Sequence, residues 1–275
     1  MVFKQILEGH PGWGAVQKIK TELINKGYLC YLAGGCIRDA ILGKTAKDLD
    51  IATDCRPEEI EKIFPKTVAV GKSFGVIRVL LDGYEIEIAT FRKETGYQDG
   101  RHPGSIEYSN PKEDALRRDF TINALFFDLN REVLIDEVGG RTDIEKKIIQ
   151  TVGKPEDRFS EDYLRILRGL RFVSQLDFTI EKQTLEGIRQ KVNLVGKVSP
   201  ERFRDEWVKL LKGVAVEKAF KICTEVGFFK IYFPQCHEPV LWSYEGLTKS
   251  TFEDWQYWSL FLTRFSFDYS LYQSF

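Results

Sequence analysis

Apolar residues recur at helical spacing between Gly12 and Gly27. Val16, Ile19, Leu23 and Ile24 share one stripe there, and Gly27 closes it, so a helix is expected. "YLCYLAGG", Tyr28 to Gly35, predicts a short buried strand that runs into a glycine turn. "CIRDAILG" predicts a short helix stopped by Gly43, and "DLDIAT", Asp48 to Thr53, alternates as a strand does. "RPEEIEKIF" places Pro57 near a helix start. The clearest local signal is "GVIRVLLDGYEIEIATF". Two alternating runs rich in β-formers flank Asp82-Gly83, a dipeptide suited to a type I′ hairpin.

From Arg92 to Pro111 the chain turns polar and rich in turn residues. This predicts a flexible loop with a short strand at Ser105–Tyr108. "KEDALRRDFTINALFFDL" begins as a helix. "EVLIDEVGGRTDIEKKII" reads as a strand, a turn at Gly139-Gly140, then a helix. From Glu161 onward the pattern is almost wholly helical. Strands mixed with helices, followed by helices alone, argue an α+β head with an α tail. The last stretch, "STFEDWQYWSLFLTRFSFDYSLYQSF", is dense in aromatics. Its apolar face requires a partner: neighbouring helices, a second chain, or protein beyond this chain.

The 275 residues suffice for two or three cores. Net charge is −1, so the molecule as a whole is no electrostatic glove for nucleic acid, and any such site is a local patch. Five cysteines form no C-x-x-C pair, and no signal peptide opens the chain. Reduced thiols in a cytoplasmic protein are therefore expected. No apolar run is long enough for a bilayer. Three histidines, none at ligand spacing, argue against a His-based zinc site or a Ser-His-Asp triad.

The chemistry concentrates between Gly34 and Thr53. On a strand, Asp48 and Asp50 project to the same face. Like charges that close repel unless a cation joins them, and a hard ion such as Mg²⁺ suits carboxylate oxygens. Paired metals activate an attacking hydroxyl and stabilise a leaving phosphate oxygen. Upstream, the Gly34-Gly35 turn exposes backbone N–H groups at a helix start. Arg38 adds a permanent forked donor for phosphate. An isolated D-x-D is most often a pair of solvated residues. The Gly-Gly-x-x-Arg element directly before this one favours a triphosphate held beside its metals. "GKS" at Gly71–Ser73 is no P-loop, because Lys66 stands where that motif needs glycine. Glu85 and Glu87 share one face of the hairpin's second strand. Either is a candidate third carboxylate, Glu87 the favoured one of the two, and a plain polar face is an equal alternative.

"SEDYLRILRGLRF", Ser160 to Phe172, forms a second constellation. Ser160 is the expected N-cap, with acids in the first turn. Asp162 and Arg165 then neighbour each other on a helix surface, and Arg168 and Arg171 continue the step. Such a ladder is an intrahelical salt bridge or a reader of a base edge, an acceptor and a donor at fixed spacing. In "RRDFTINAL", Arg118 and Asp119 are candidates for a nucleotide's phosphates and sugar, and Asn123 sits one helical turn beyond Asp119. Plain charge placement at a helix start is the alternative.

Together, "GGCIRDAILG", "DLD", "RRDFTINAL", "IDEVGGRTDI" and "EDYLRILRGLRF" resemble, in order, the motifs of class II CCA-adding enzymes and bacterial poly(A) polymerases. "SPERFRDEWVKLL" is similar to the last motif of that family. The resemblance implies an α+β fold: a nucleotidyltransferase (polymerase β-like) head with a mixed or antiparallel sheet, then all-α neck and body helices. The implied boundaries are 1–140 for the head, 141–195 for the neck and 196–275 for the start of the body. It implies catalytic Mg²⁺ on Asp48 and Asp50, with Glu87 as a third catalytic carboxylate. Gly35 and Arg38 would contact the triphosphate, and Arg118, Asp119 and Asn123 the nucleotide. Asp162 and Arg165 would act as a protein template for CTP and ATP, with Arg168 and Arg171 nearby. "RKETGYQDGRHP" resembles the loop that switches C to A addition. The implied partner is the 3′ end of tRNA, with no membrane involved. Poly(A) polymerase, an A-adding enzyme, a small-molecule nucleotidyltransferase and a catalytically inactive RNA-binding module are the competing readings. The chain ends early for this family, which leaves little length for a full body and tail.

Overall fold

A computed structural model describes residues 2–97, 99–233 and 253–263. Two units make up the chain: Met1–Gln98, Pro103–Lys146 and Gln150–Gly153 form the first, and Asp99–His102, Lys147–Ile149 and Lys154–Phe275 the second.

The first unit carries α1 (Val2–Glu8), α2 (Trp13–Asn25), β1 (Tyr31–Ala33), α3 (Gly35–Ile41), β2 (Ile51–Thr53), α4 (Pro57–Ile63), β3 (Thr67–Gly71), β4 (Val76–Leu81), β5 (Tyr84–Thr90), β6 (Arg92–Thr95), β7 (Ser105–Tyr108), α5 (Pro111–Leu116), β8 (Leu125–Asp128), β9 (Val133–Asp136) and α6 (Gly140–Lys146). Seven strands join in the order β3-β4-β5-β2-β1-β8-β9. The β2–β5 pair is parallel and its neighbours are antiparallel, so the sheet is mixed. The β4–β5 hairpin closes through Asp82 and Gly83 at φ 53° and 82°, as a type I′ turn demands. Ile77, Val79, Ile86 and Ile88 are buried on one of its faces, which leaves Arg78, Glu85 and Glu87 to the other. In the core the Phe91 ring meets Tyr31 and Phe126 edge-on, with centroids 5.6 Å and 5.8 Å away. Each such buried ring contributes roughly 1.5–3 kcal/mol.

Three expectations change in this unit. The strand expected over "DLDIAT" is only Ile51–Thr53. Asp48, Leu49 and Asp50 form its approach, tied at one point where Ala33 N–H donates to Asp50 O over 3.0 Å. The loop expected from Arg92 to Pro111 contains a two-stranded ribbon, with Arg92 opposite Tyr108 and Thr95 opposite Ser105. Its first strand, "RKET", offers no apolar alternation to read; ion pairs hold it instead. The helix opening "KEDALRRDF" stops at Leu116, and Thr121–Asn123 is a separate 3-10 turn.

The second unit carries β10 (Ile148–Ile149), α7 (Pro155–Glu161), α8 (Leu164–Leu176), β11 (Thr179–Ile180), α9 (Lys182–Lys191), α10 (Pro200–Leu211), α11 (Val216–Glu225), α12 (Phe228–Tyr232) and α13 (Asp254–Thr263). Apart from the two-residue parallel pair β10–β11, its described residues are mainly helical, as expected. Ser160 is not an N-cap. It lies inside α7, and its hydroxyl donates to Glu156 O over 2.6 Å. Pro155 at the first turn starts that helix, and the chain breaks at Asp162, which is extended (φ −140°, ψ 110°). Fully buried Trp207 stacks with Phe203, Phe220 and Phe228 at 5.9, 5.9 and 5.2 Å. Phe261 of α13 meets Trp207 edge-on at 5.2 Å, so part of the aromatic last stretch finds its partner within this unit. The rest of that stretch, 250–252 and 264–275, lies outside the described residues, as do Cys236 and His237.

Candidate nucleotide and metal site

Gly34 sits at φ +72° and ψ −126° before α3, a conformation that favours glycine. Its N–H donates to Leu125 O over 2.9 Å. A Cβ on Gly34 would stand 3.0 Å from Arg118 Nη1, so the missing side chain also admits that guanidinium. On Gly35 a Cβ would lie 3.6 Å from Arg38 Nη2. Arg38 Nη1 donates to Asn123 Oδ1 over 2.6 Å, and its Nε donates to Asp39 Oδ1 over 2.8 Å. Asn123 Nδ2 donates in turn to Asp119 Oδ1 at 3.4 Å. Arg118 gives Nη1 to Asn123 O at 3.0 Å and lies over the Phe126 ring, 4.7 Å from its centroid. Gly35, Arg38, Arg118, Asp119 and Asn123 therefore form one constellation, although 80 residues or more separate its two halves in sequence. Asn123 reaches Asp119 through the 3-10 turn rather than along an α-helix.

The acidic pair borders this group. Leu49 is 2% exposed, whereas Asp48 is exposed and Asp50 half-buried. The parallel register sets Ile51 beside Ile88, so Asp50 and Glu87 each directly precede a paired residue. Burial pushes the Asp50 carboxyl up to about 6; the negative charges of Glu87 and Asp48 add to this, and Arg118 opposes it. Glu87, not Glu85, is thus the acid whose charge Asp50 feels. Both glutamates pair with Arg78, through Nη2 at 2.8 Å and Nη1 at 3.0 Å. Among the described residues no three His, Cys, Asp or Glu side chains converge into a closed metal cage. Mg²⁺ keeps several waters and shares its shell with substrate phosphates. An open set of acidic oxygens, gathered against their own repulsion, fits such a hard cation.

Two residues of this region escaped the sequence reading. Arg78 lies directly across the hairpin from Glu87, and the alternation of the two strands carries that signal. Asp114 binds both Arg117 and Arg118, a link readable from the i,i+3 and i,i+4 spacing.

The second constellation is arranged differently from expectation. Asp162 does not share a helix face with Arg165. It precedes α8, where Oδ1 accepts from Leu164 N–H at 3.1 Å and Oδ2 pairs with Arg202 Nη2 at 2.9 Å. Arg202 belongs to "SPERFRDEWVKLL", so two of the motifs meet here. Arg165, 8% exposed, pairs with Glu161 at 2.6 Å. Arg168 and Arg171 both lie over the Phe172 ring, at 5.5 and 4.0 Å. Arg171 also pairs with Glu206 at 2.6 Å. Leu164, Ile166, Leu167, Leu170 and Val173 are buried and anchor the helix as the pattern requires. Among the described residues no helix is long and apolar enough to cross a membrane.

Comparison with known proteins gives concordant matches. Residues 30–150 match the poly A polymerase head domain, and residues 177–238 match a probable RNA and SrmB-binding site of polymerase A. A CCA-adding enzyme of Bacillus pumilus is 48% identical over 213 residues, which are 77% of this chain and 53% of that protein. The crystal structure of the Bacillus stearothermophilus CCA-adding enzyme in complex with CTP superposes with a TM-score of 0.72 at 39% identity, over 79% of this chain and 53% of that one. A tRNA nucleotidyltransferase complexed with a primer tRNA and an incoming ATP analog superposes with a TM-score of 0.65 at 27% identity, over 85% of this chain and 65% of that one. The chain spans about half the length of the curated relatives it matches.

Proposed function

Because this chain belongs to the family of class II CCA-adding enzymes and bacterial poly(A) polymerases, we propose that it is a template-independent nucleotidyltransferase that adds C, A or both to the 3′ end of tRNA. CTP and ATP are the substrates and pyrophosphate is released. One observation carries this reading: Asp48 and Asp50 border the cluster in which Arg38 and Arg118 converge on Asn123. Acidic oxygens beside two fixed guanidinium forks suit a triphosphate and its counter-ions.

Divalent metal use fits the family, and Mg²⁺ is the ion proposed. Asp48 and Asp50 would hold it, with Glu87 beside Asp50. When bound it supplies a lowered pKa for the RNA 3′-hydroxyl and neutralises charge developing on the phosphate. The protein supplies the rest. Arg38 and Arg118, locked by Asn123, grip the phosphates so that the α-phosphorus faces the hydroxyl in line with the pyrophosphate that leaves. Asp119, fixed by Asn123 and Phe120 N–H, is placed to accept from the ribose. Asp162 and Arg165 select the base, with Arg168 and Arg171 on the helix that carries Arg165. For this role Asp162 exchanges its bond to Arg202, and Arg165 its bond to Glu161, for bonds to the base edge. We place head, neck and body at 1–140, 141–195 and 196–275, and the protein in the cytoplasm.

Extension of a tRNA that lacks its terminal CCA tests the proposal, with CTP alone, ATP alone and both. The expected products are short additions of C and then A, with stoichiometric pyrophosphate. A long run of A with no C identifies a poly(A) polymerase instead. RNA retention without pyrophosphate leaves only a binding module.

A further inference from the structure

Arg118 is anchored from behind. Asp114 is 1% exposed, and its Oδ2 accepts from Nε and Nη2 of Arg118 at 3.1 and 3.0 Å. Its Oδ1 takes Nε and Nη2 of Arg117 at 2.9 and 2.7 Å, and the backbone N–H of Arg92 at 3.2 Å. Glu94 pairs with Arg92 at 2.6 Å and with Arg117 at 3.1 Å, and the Tyr97 hydroxyl donates to it. Three guanidinium groups of the first unit thus share two buried carboxylates. Burial alone would raise the Asp114 carboxyl, but Arg118 and Arg117 outweigh it and hold the group below the ordinary carboxylate range. It is therefore an anion at neutral pH.

A carboxylate that binds one edge of a guanidinium through two N–H groups fixes the plane of the fork. Nη1 of Arg118 is further tied to Asn123 O. A guanidinium has five N–H donors, and these three bonds leave one on Nη1 and one on Nη2.

We propose that Asp114 is a positioning residue for the triphosphate, acting through Arg118 to aim those two remaining donors at the β- and γ-phosphate oxygens. Arg117, held by Glu94, keeps Asp114 from swinging out of place. The inference rests on the reading that Arg118 binds the triphosphate. It adds an aspartate that touches no substrate yet sets how strongly the terminal phosphates count.

The test is the ratio of the CMP and CTP dissociation constants, measured by equilibrium dialysis on the full chain with Mg²⁺ present. CMP lacks the β- and γ-phosphates, so the ratio isolates them. R118A sets the benchmark and should abolish most of the preference for CTP. D114N should lower the ratio about tenfold, with CMP affinity changed by no more than about twofold. An aspartate with a merely structural role would weaken both nucleotides equally and leave the ratio alone. If R118A loses the preference while D114N keeps it, the inference is overturned and the phosphate role of Arg118 stands. If R118A itself keeps the preference, premise and inference fall together. Should D114N fail to fold, R117Q decides: a smaller drop in the ratio supports the inference, and an unchanged ratio overturns it.

Discussion

Asp50 and Glu87 each directly precede a paired residue, Ile51 and Ile88, because β2 runs parallel to β5. The negative charge of Glu87 raises the Asp50 carboxyl; Glu85, two residues earlier, pairs with Arg78 as Glu87 does. The two glutamates should separate in a mutant pair. E87Q should lower single-turnover incorporation of CTP by about 10–100-fold, the usual range for a group supporting metal ligands. E85Q should stay within about threefold of the parent, as an exposed ion pair contributes little. Equal losses in the two variants would remove Glu87 from the site.

Asn123 holds two arginines at once, Arg38 by its side chain and Arg118 by its carbonyl. Substitution with alanine removes only the first. A hydrogen bond to a charged group contributes roughly 1.5–3 kcal/mol, so N123A should raise KM for CTP and ATP alike by about tenfold or more. Steady-state kinetics with each nucleotide checks this. A change confined to one nucleotide would place Asn123 at the base instead.

G34A combines two penalties: a side chain at φ +72°, and a Cβ 3.0 Å from Arg118 Nη1. Such backbone strain costs about 1–3 kcal/mol. The melting midpoint of G34A should fall by several degrees, and its CTP affinity should weaken as Arg118 is displaced. Unchanged affinity in a destabilised protein would show that the glycine serves the turn alone.

The arginine-carboxylate network predicts a sign for acid stability. Burial would raise Glu94, yet Arg117 and Arg92 hold it below its ordinary value, as Arg118 and Arg117 do for Asp114. Acids depressed in the folded state contribute stability that is complete above their unfolded values. That contribution is lost as pH falls through the lower folded values. Melting curves from pH 6 to pH 3 should therefore show E94Q less stable than the parent at pH 6, with the gap narrowing towards pH 3. A gap that stays constant would mean Glu94 stabilises by packing rather than by charge.

Much of the first unit could be read directly from residues, and the exceptions have a common cause. The β4–β5 hairpin announces itself through alternation and Asp82-Gly83, whereas the strand expected to carry the acidic pair begins only at Ile51. Strand β6 does not announce itself, because its partners are charged: Asp114 and Arg117 reach it from 22 and 25 residues away. The break at Asp162 is equally hidden. "SEDYLRIL" has the composition of a helix start, and only the extended backbone of Asp162 and its bond to Leu164 N–H reveal two helices. Local propensity and apolar period are written along the chain; polar contacts between distant segments are not.

Asp48 and Asp50 are proposed to bind divalent ions at the point where a nucleoside triphosphate meets an RNA end. Single-turnover incorporation of CTP into truncated tRNA, followed to saturating Mg²⁺ for the parent and D48A, tests this most directly. The predicted result is a loss of about a thousandfold that added Mg²⁺ does not restore. Full incorporation by D48A at saturating Mg²⁺ would contradict it.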